Sequence, residues 1–235
     1  MLLLALETAT EAASVALLRD GEPLAALELR GDRPASEALL PAILELLAER
    51  SLAPASLDAF AVSIGPGSFT GLRVGVATAK GLAFGAGRCV APVPTLAALA
   101  ATQRSGCVAA LLDARRAELY AAAHRAEDPL AEPLWGPCVL APAALAARLE
   151  AGWRVVGAAT PAVVQAVRAR LGDAVALVGP TRPDAVAVGR LGGRLLAAGR
   201  AVAAAELAPR YVRRAEAEVR RTGAATDFDT PRRLS

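Results

Sequence analysis

The chain has 235 residues, enough for one large domain or two lobes with a full core. Its hydrophobic content is 54% with only 3% aromatic, so that core is made of Ala, Val and Leu, as in helices packed on sheets. The formal net charge of +3 is small, and Cys89, Cys107 and Cys138, far apart and without CxxC spacing, indicate neither a disulfide scaffold nor a zinc site.

The opening MLLLALET lacks a basic leader and meets Glu7 after a short apolar run, so it reads as a first strand, Leu2–Glu7, and not as an export signal. Strands are expected at 13–18 and 24–29, joined by the hairpin signal Asp20-Gly21. A helix follows at 36–50, with Leu39, Leu40, Ile43, Leu46 and Leu47 at helical spacing and Pro41 near its first turn. Then come a strand at 57–64, a helix at 71–87, a short strand at 88–91 and a helix at 95–103.

Between strand and helix lies IGPGSFTGLRVG, a glycine-rich turn of the kind that holds phosphate in many α/β proteins. It matches neither the P-loop GxxxxGK[ST] nor the dinucleotide GxGxxG, and Pro66 spoils a GxSxG nucleophile elbow. The helix behind it repeats small residues every fourth position, Gly71, Gly75, Ala79, Ala83 and Gly87. Interior glycines cost about 1 kcal/mol each relative to alanine unless something packs closely. That something is either the protein's own sheet or a helix of a second chain.

The second part repeats the order: strands at 107–112, 118–124 and 134–140, a helix at 142–150, a strand at 153–156, a helix at 161–170, a strand at 174–178 and a helix at 184–199. Two βββαβα lobes are expected, each opening on a hairpin whose turn carries a carboxylate, Glu7 and Asp113, with a cleft between the turns. The expected boundaries are a first lobe at 1–104, a second at 105–200, a segment packing back on the lobes at 201–221 and a flexible tail at 222–235. Residues 200–235 hold eight arginines against five acids, which reads as a solvated terminal segment or as a phosphate-contacting strip for RNA. No apolar run reaches the roughly 18 residues a membrane span needs, and a cytoplasmic location is expected.

Chemistry is sparse. The single histidine, His124, reads as a strand-edge side chain, and no serine elbow accompanies it. Glu7 and Asp113 suit either a hard cation with a nucleotide or plain turn capping. Arg73 is placed either to reach an anion or simply on the surface.

In order along the chain, LETATEAASVAL, GPGSFTGLRVG, DARRAELY (Asp113 to Tyr120) and PRYVR (Pro209 to Arg213) resemble the TsaB (YeaZ) family. The resemblance implies an actin-like/Hsp70-like ATPase (ASKHA) fold of two RNase-H-like lobes. It further implies a non-catalytic subunit that works with TsaD and TsaE in transferring threonylcarbamoyl, from threonylcarbamoyl-AMP, to adenosine 37 of tRNAs reading codons that begin with A. TsaD would hold the ATP and metal ion. TsaD-type proteins place two histidines four apart where this chain has Thr95 and Leu99, so the ion site is expected to be absent here. Glu7, Thr8, Gly67 and Asp113 are the candidates for any nucleotide. Leu39, Leu40, Ile43, Leu47, Gly71, Gly75, Ala79 and Leu82 are expected to meet TsaD, or a second copy in a homodimer, with Gly75 and Ala79 permitting close approach. Two other readings stay open: a glycoprotease-type metallopeptidase and an independent ATP-dependent kinase on the same fold.

Overall fold

A computed structural model of the protein describes residues 1–29, 33–179 and 181–213. The stretch 214–235, with five of the eight C-terminal arginines and the expected tail, lies outside the described residues.

β1 (Leu2–Glu7), β2 (Ser14–Arg19) and β3 (Glu22–Glu28) form an antiparallel meander. Asp20 and Gly21 turn between β2 and β3 at φ 52° and 88°, the left-handed pair that a two-residue hairpin requires. β4 (Ala59–Gly65) and β5 (Val90–Pro94) add in parallel, giving the order β3-β2-β1-β4-β5. The second sheet has β6 (Cys107–Asp113), β7 (Leu119–Arg125), β8 (Trp135–Leu140), β9 (Arg154–Gly157) and β10 (Ala176–Leu177) in the order β10-β9-β6-β7-β8. Read from the other edge this is the same topology, with β6 in the place of β1. The weak internal repeat is therefore a duplicated α/β fold.

The helices are α1 (Ala35–Ala48), α2 (Phe69–Ala86), α3 (Thr95–Ala100), α4 (Pro142–Arg148), α5 (Pro161–Leu171) and α6 (Ala185–Ala197). Pro41 is not in the first turn of α1 but in its interior, on the exposed side, where water can satisfy the carbonyl that its missing N–H leaves free. α2 begins two residues before the expected Gly71, because Ser68 caps it and accepts the N–H of Gly71.

One face of the first sheet packs on α1 and α2. Leu4, Leu6, Val15, Leu17, Phe60 and Val62 meet Leu39, Ile43, Leu47, Val76 and Ala79 there. This corrects the expectation for five partner-interface residues. Leu39, Ile43, Leu47 and Ala79 are at most 1% exposed and Gly75 is buried, so they fill this chain's own core and offer nothing to a partner. Burying each such leucine or isoleucine is worth about 1.5–3 kcal/mol to the fold itself. Leu40 remains exposed at 45%, while Gly71 and Leu82 are half-buried.

The other faces of the two sheets lock the lobes together. α6 follows the second sheet in sequence but packs on the first, burying Val188, Leu191 and Leu195 against Leu3, Ala5, Ala16, Leu18 and Ala61. Gly189 and Gly192 let it lie close, since a side chain there would overlap Leu18 and Ala61. α3 makes the reciprocal crossing. Its Leu96, Leu99 and Ala100 pack with Val108, Ala110, Ala122 and Val156 of the second sheet, while Ala97 and Ala98 face the first.

Candidate functional site

The turn after β4 is fastened to the turn after β1. A side chain at Gly67 would overlap the Ala9 carbonyl, one at Gly71 the Thr8 carbonyl, and one at Gly75 the Thr8 hydroxyl. The Ser68 N–H donates to the Ala9 carbonyl at 2.7 Å. Gly65, at φ 118°, donates its N–H to Thr95 Oγ1 at 3.0 Å and leaves no room for a Cβ beside the Arg210 carbonyl. Close approach of backbones within the chain therefore explains these glycines. The small-residue face of α2 that was expected to admit a partner is occupied by Thr8.

Glu7 closes β1 and is fully buried. Its Oε1 accepts the N–H of Ala9 at 2.5 Å, and its Oε2 has no hydrogen-bond partner among the described residues. Burial pushes its carboxyl up to about 7; the nearby Ser63 hydroxyl and the Ala9 N–H pull the other way, and the charge of Asp184 adds a further upward push. Thr8 Oγ1 is likewise buried without a partner among the described residues. Asp113 closes β6 at the equivalent place, but it is exposed, and its Oδ1 accepts the N–H of Arg115 at 2.7 Å. Both carboxylates cap the turn two residues on. They are not brought together: Gly67 and Asp113 line a cleft, whereas Glu7 and Thr8 lie behind its wall.

The duplication runs through the whole frame. Gly157 at the end of β9 donates its N–H to Thr181 Oγ1 at 2.9 Å, as Gly65 does to Thr95. Thr160 caps α5 as Ser68 caps α2. Thr95 and Leu99, the positions expected to lack metal-binding histidines, thus have structural work. Thr95 holds the end of β4, and Leu99 is in the core beneath Gly157. Thr95 was expected only as a missing ligand, yet a Pro-Thr pair after the last strand of each half, Pro94-Thr95 and Pro180-Thr181, was available as a signal. Among the described residues no three His, Cys, Asp or Glu side chains converge in a way that could hold a metal ion. His124 is 6% exposed, and its imidazole is held down to about 4 by burial, partly offset by a bond to the Pro129 carbonyl. It lines no part of the cleft.

The cleft encloses about 490 Å³ between the lobes. PRYVR crosses it as a strap. The Arg210 N–H donates to the Ile64 carbonyl at 2.6 Å, Tyr211 stacks on Phe69 with ring centroids 4.8 Å apart, and Arg213 bonds the Ala114 carbonyl and the Glu118 carboxylate on the second lobe. Arg73 belongs to this cluster. Its guanidinium sits 4.1 Å from the Phe69 ring centre and donates to the Tyr211 hydroxyl.

A second surface is apolar. The outward side of α1 shows Leu40 and Leu44, 45% and 47% exposed, and that of neighbouring α2 shows Phe84 at 80%. Beside Phe84 run Ala77, Gly81 and Gly85, again four apart but facing solvent, with open space where Gly81 and Gly85 would carry side chains.

Two five-stranded sheets of identical topology, crossed by each other's helices and facing across a cleft, define a two-lobed protein of the actin-like/Hsp70-like ATPase class, each lobe RNase-H-like. Residues 31–219 match the family model described as TsaD: tRNA N6-adenosine threonylcarbamoyltransferase. A crystal structure described as that of an uncharacterized protein with similarity to peptidase YEAZ, from Pseudomonas aeruginosa, superposes with a TM-score of 0.77 at 34% identity, over 89% of this chain and 98% of that one. The chain belongs to the TsaB (YeaZ) family. It is 47% identical to the tRNA threonylcarbamoyladenosine biosynthesis protein TsaB of Haemophilus influenzae over 50% of this chain and 51% of that one. It is 39% identical to that of Escherichia coli over 54% and 57%. The chain thus spans about half the length of the curated relatives it matches.

Proposed function

We propose that this chain is a non-catalytic, cytoplasmic subunit of tRNA N6-threonylcarbamoyladenosine formation. It orders and activates TsaD, with TsaE, for transfer of threonylcarbamoyl from threonylcarbamoyl-AMP to adenosine 37, and holds no cofactor of its own, ATP and metal being TsaD's. The observation that carries the reading is the exposed face of α1 and α2, where Leu40, Leu44 and Phe84 flank a ridge of Ala77, Gly81 and Gly85. Large apolar side chains exposed on the outer sides of two neighbouring helices mark a protein–protein contact, and small residues at four-residue spacing let a partner helix approach. The same face would serve a second copy when TsaD is absent. The relatives named for threonylcarbamoyladenosine biosynthesis support the pathway.

Because Gly75 is internal, the test belongs on the outer ridge. Ala77→Arg is expected to leave a folded chain that no longer co-purifies with TsaD and no longer supports the modification when the tRNA reaction is reconstituted with all other components. Undiminished complex and activity would overturn the interface. Turnover by the purified chain alone would overturn the non-catalytic reading.

A further inference from the structure

The cleft differs in character from the apolar face. Arg115, Arg182, Arg210 and Arg213 line it, against the carboxylates of Glu11 and Asp113. Arg115 is paired with Glu11 at 3.0 Å and Arg213 with Glu118, and Asp113 is engaged with a backbone N–H. That leaves the exposed guanidinium groups of Arg182 and Arg210 with no ionic or hydrogen-bonding partner among the described residues. They come from opposite sides, one beside the second-lobe frame at Thr181 and one on the strap. Three aromatic side chains, Phe69, Tyr120 and Tyr211, share the same walls.

Unpaired arginines spaced along a groove together with aromatic faces are the physical requirements for holding single-stranded nucleic acid, the first for phosphates and the second for bases. At about 490 Å³ the cleft has room for a nucleotide rather than a duplex. We infer that the interlobe cleft takes a single-stranded segment of RNA, its phosphates met by Arg182 and Arg210 and a base laid against the aromatic wall. This rests on the reading that the chain works on tRNA, but it assigns the contact to the cleft and not to the apolar face.

The test uses the full chain alone and a fluorescein-labelled oligouridylate, whose anisotropy is followed over a series of KCl concentrations. This probe has no adenosine to modify, so its failure to bind would sink the cleft assignment while leaving activation of TsaD standing. Conversely, loss of the modification in Ala77→Arg would not touch it. Replacing both arginines, Arg182→Ala with Arg210→Ala, is expected to weaken binding at least tenfold and to flatten the slope of log K against log[salt] by about 1.4, for two phosphate contacts on a single strand. Far-UV circular dichroism checks the fold, and Arg182→Gln alone, a change at one exposed side chain, should show about half the slope change. Unchanged affinity in both variants overturns the inference. So does a loss seen only on deleting 214–235, which would put the RNA on that stretch, or displacement of the probe by equimolar free AMP, which would make the cleft a mononucleotide site.

Discussion

Glu7→Gln isolates the energetic consequence of a carboxyl sealed behind the cleft. In the folded chain the group is held near 7 against an ordinary 4.5, because burial removes the water that would stabilise its charge. A carboxyl with a raised folded-state pKa binds its proton more tightly when folded than when unfolded. Its contribution is therefore most favourable below about pH 4.5, declines as pH rises from there to about 7, and is constant above. A displacement from 4.5 to about 7 corresponds to about 3 kcal/mol lost across that window. Glutamine keeps an oxygen for the Ala9 N–H and has no proton to lose. Urea unfolding at pH 4.5 and pH 8 is the assay. The variant should lie within about 1 kcal/mol of the parent at pH 4.5 and gain about 3 kcal/mol on it by pH 8. Titrations elsewhere are common to both chains and largely cancel. A difference between the two proteins that does not vary with pH would refute the account of Glu7 as a carboxyl neutral up to pH 7.

The two small-residue stripes of α2 should part company. Gly75→Ala, which would drive a methyl into the Thr8 hydroxyl, is expected to destabilise by about 1–3 kcal/mol, whereas Gly81→Ala, with open space around it, should stabilise by up to about 1 kcal/mol; thermal melts of the pair decide. Thr95→Val leaves the buried Gly65 N–H without an acceptor and should cost about 1–3 kcal/mol, and the same change at half-buried Thr181 less, by urea midpoints. A fragment ending at residue 104 lacks α6 and should expose the face carrying Leu3, Leu18 and Ala61. It is expected to aggregate or bind a hydrophobic dye, and a monomeric, cooperatively melting fragment would contradict the crossing.

Strands and their order were readable because most carry an apolar run bounded by turn residues, as β1, β2, β4 and β6 do, and the order alone announced the duplication. What escaped was sidedness. In α2 both the inward stripe (Gly75, Ala79, Ala83) and the outward one (Ala77, Gly81, Gly85) consist of small residues four apart, so periodicity does not say which meets the sheet. Leu72 and Val76, on the buried side with Ala79 and Ala83, were the available clue. In α1 the apolar residues occupy more than one face, and Leu39 and Leu40 are neighbours in sequence with opposite fates. The candidate site was half legible. Both turn carboxylates were found, but the burial of one and the exposure of the other depend on which helix covers each sheet. That in turn depends on the crossing of α3 and α6, a pairing of segments too distant in sequence for any local pattern to record.

The crossing also explains why two equivalent turns came to differ. α6 begins beside β1 and β2, its Ala185 N–H held by Ser14 Oγ at 3.0 Å, and its N-terminal Asp184 is near enough to act on Glu7. The first-lobe carboxyl is thereby sealed, and the Thr8 backbone beyond it is taken up by Gly71 and Gly75. Among the described residues no helix covers the second-lobe turn, and Asp113 and Arg115 stay in water. A symmetric pair of ligand turns would need both carboxylates to reach one bound group. Here one of them is committed to the interior, so the cleft keeps only Asp113 of that pair, beside Glu11, its arginines and its aromatic rings. The face proposed for a protein partner is the outer side of α1 and α2, on the opposite side of those helices from the sheet they cover.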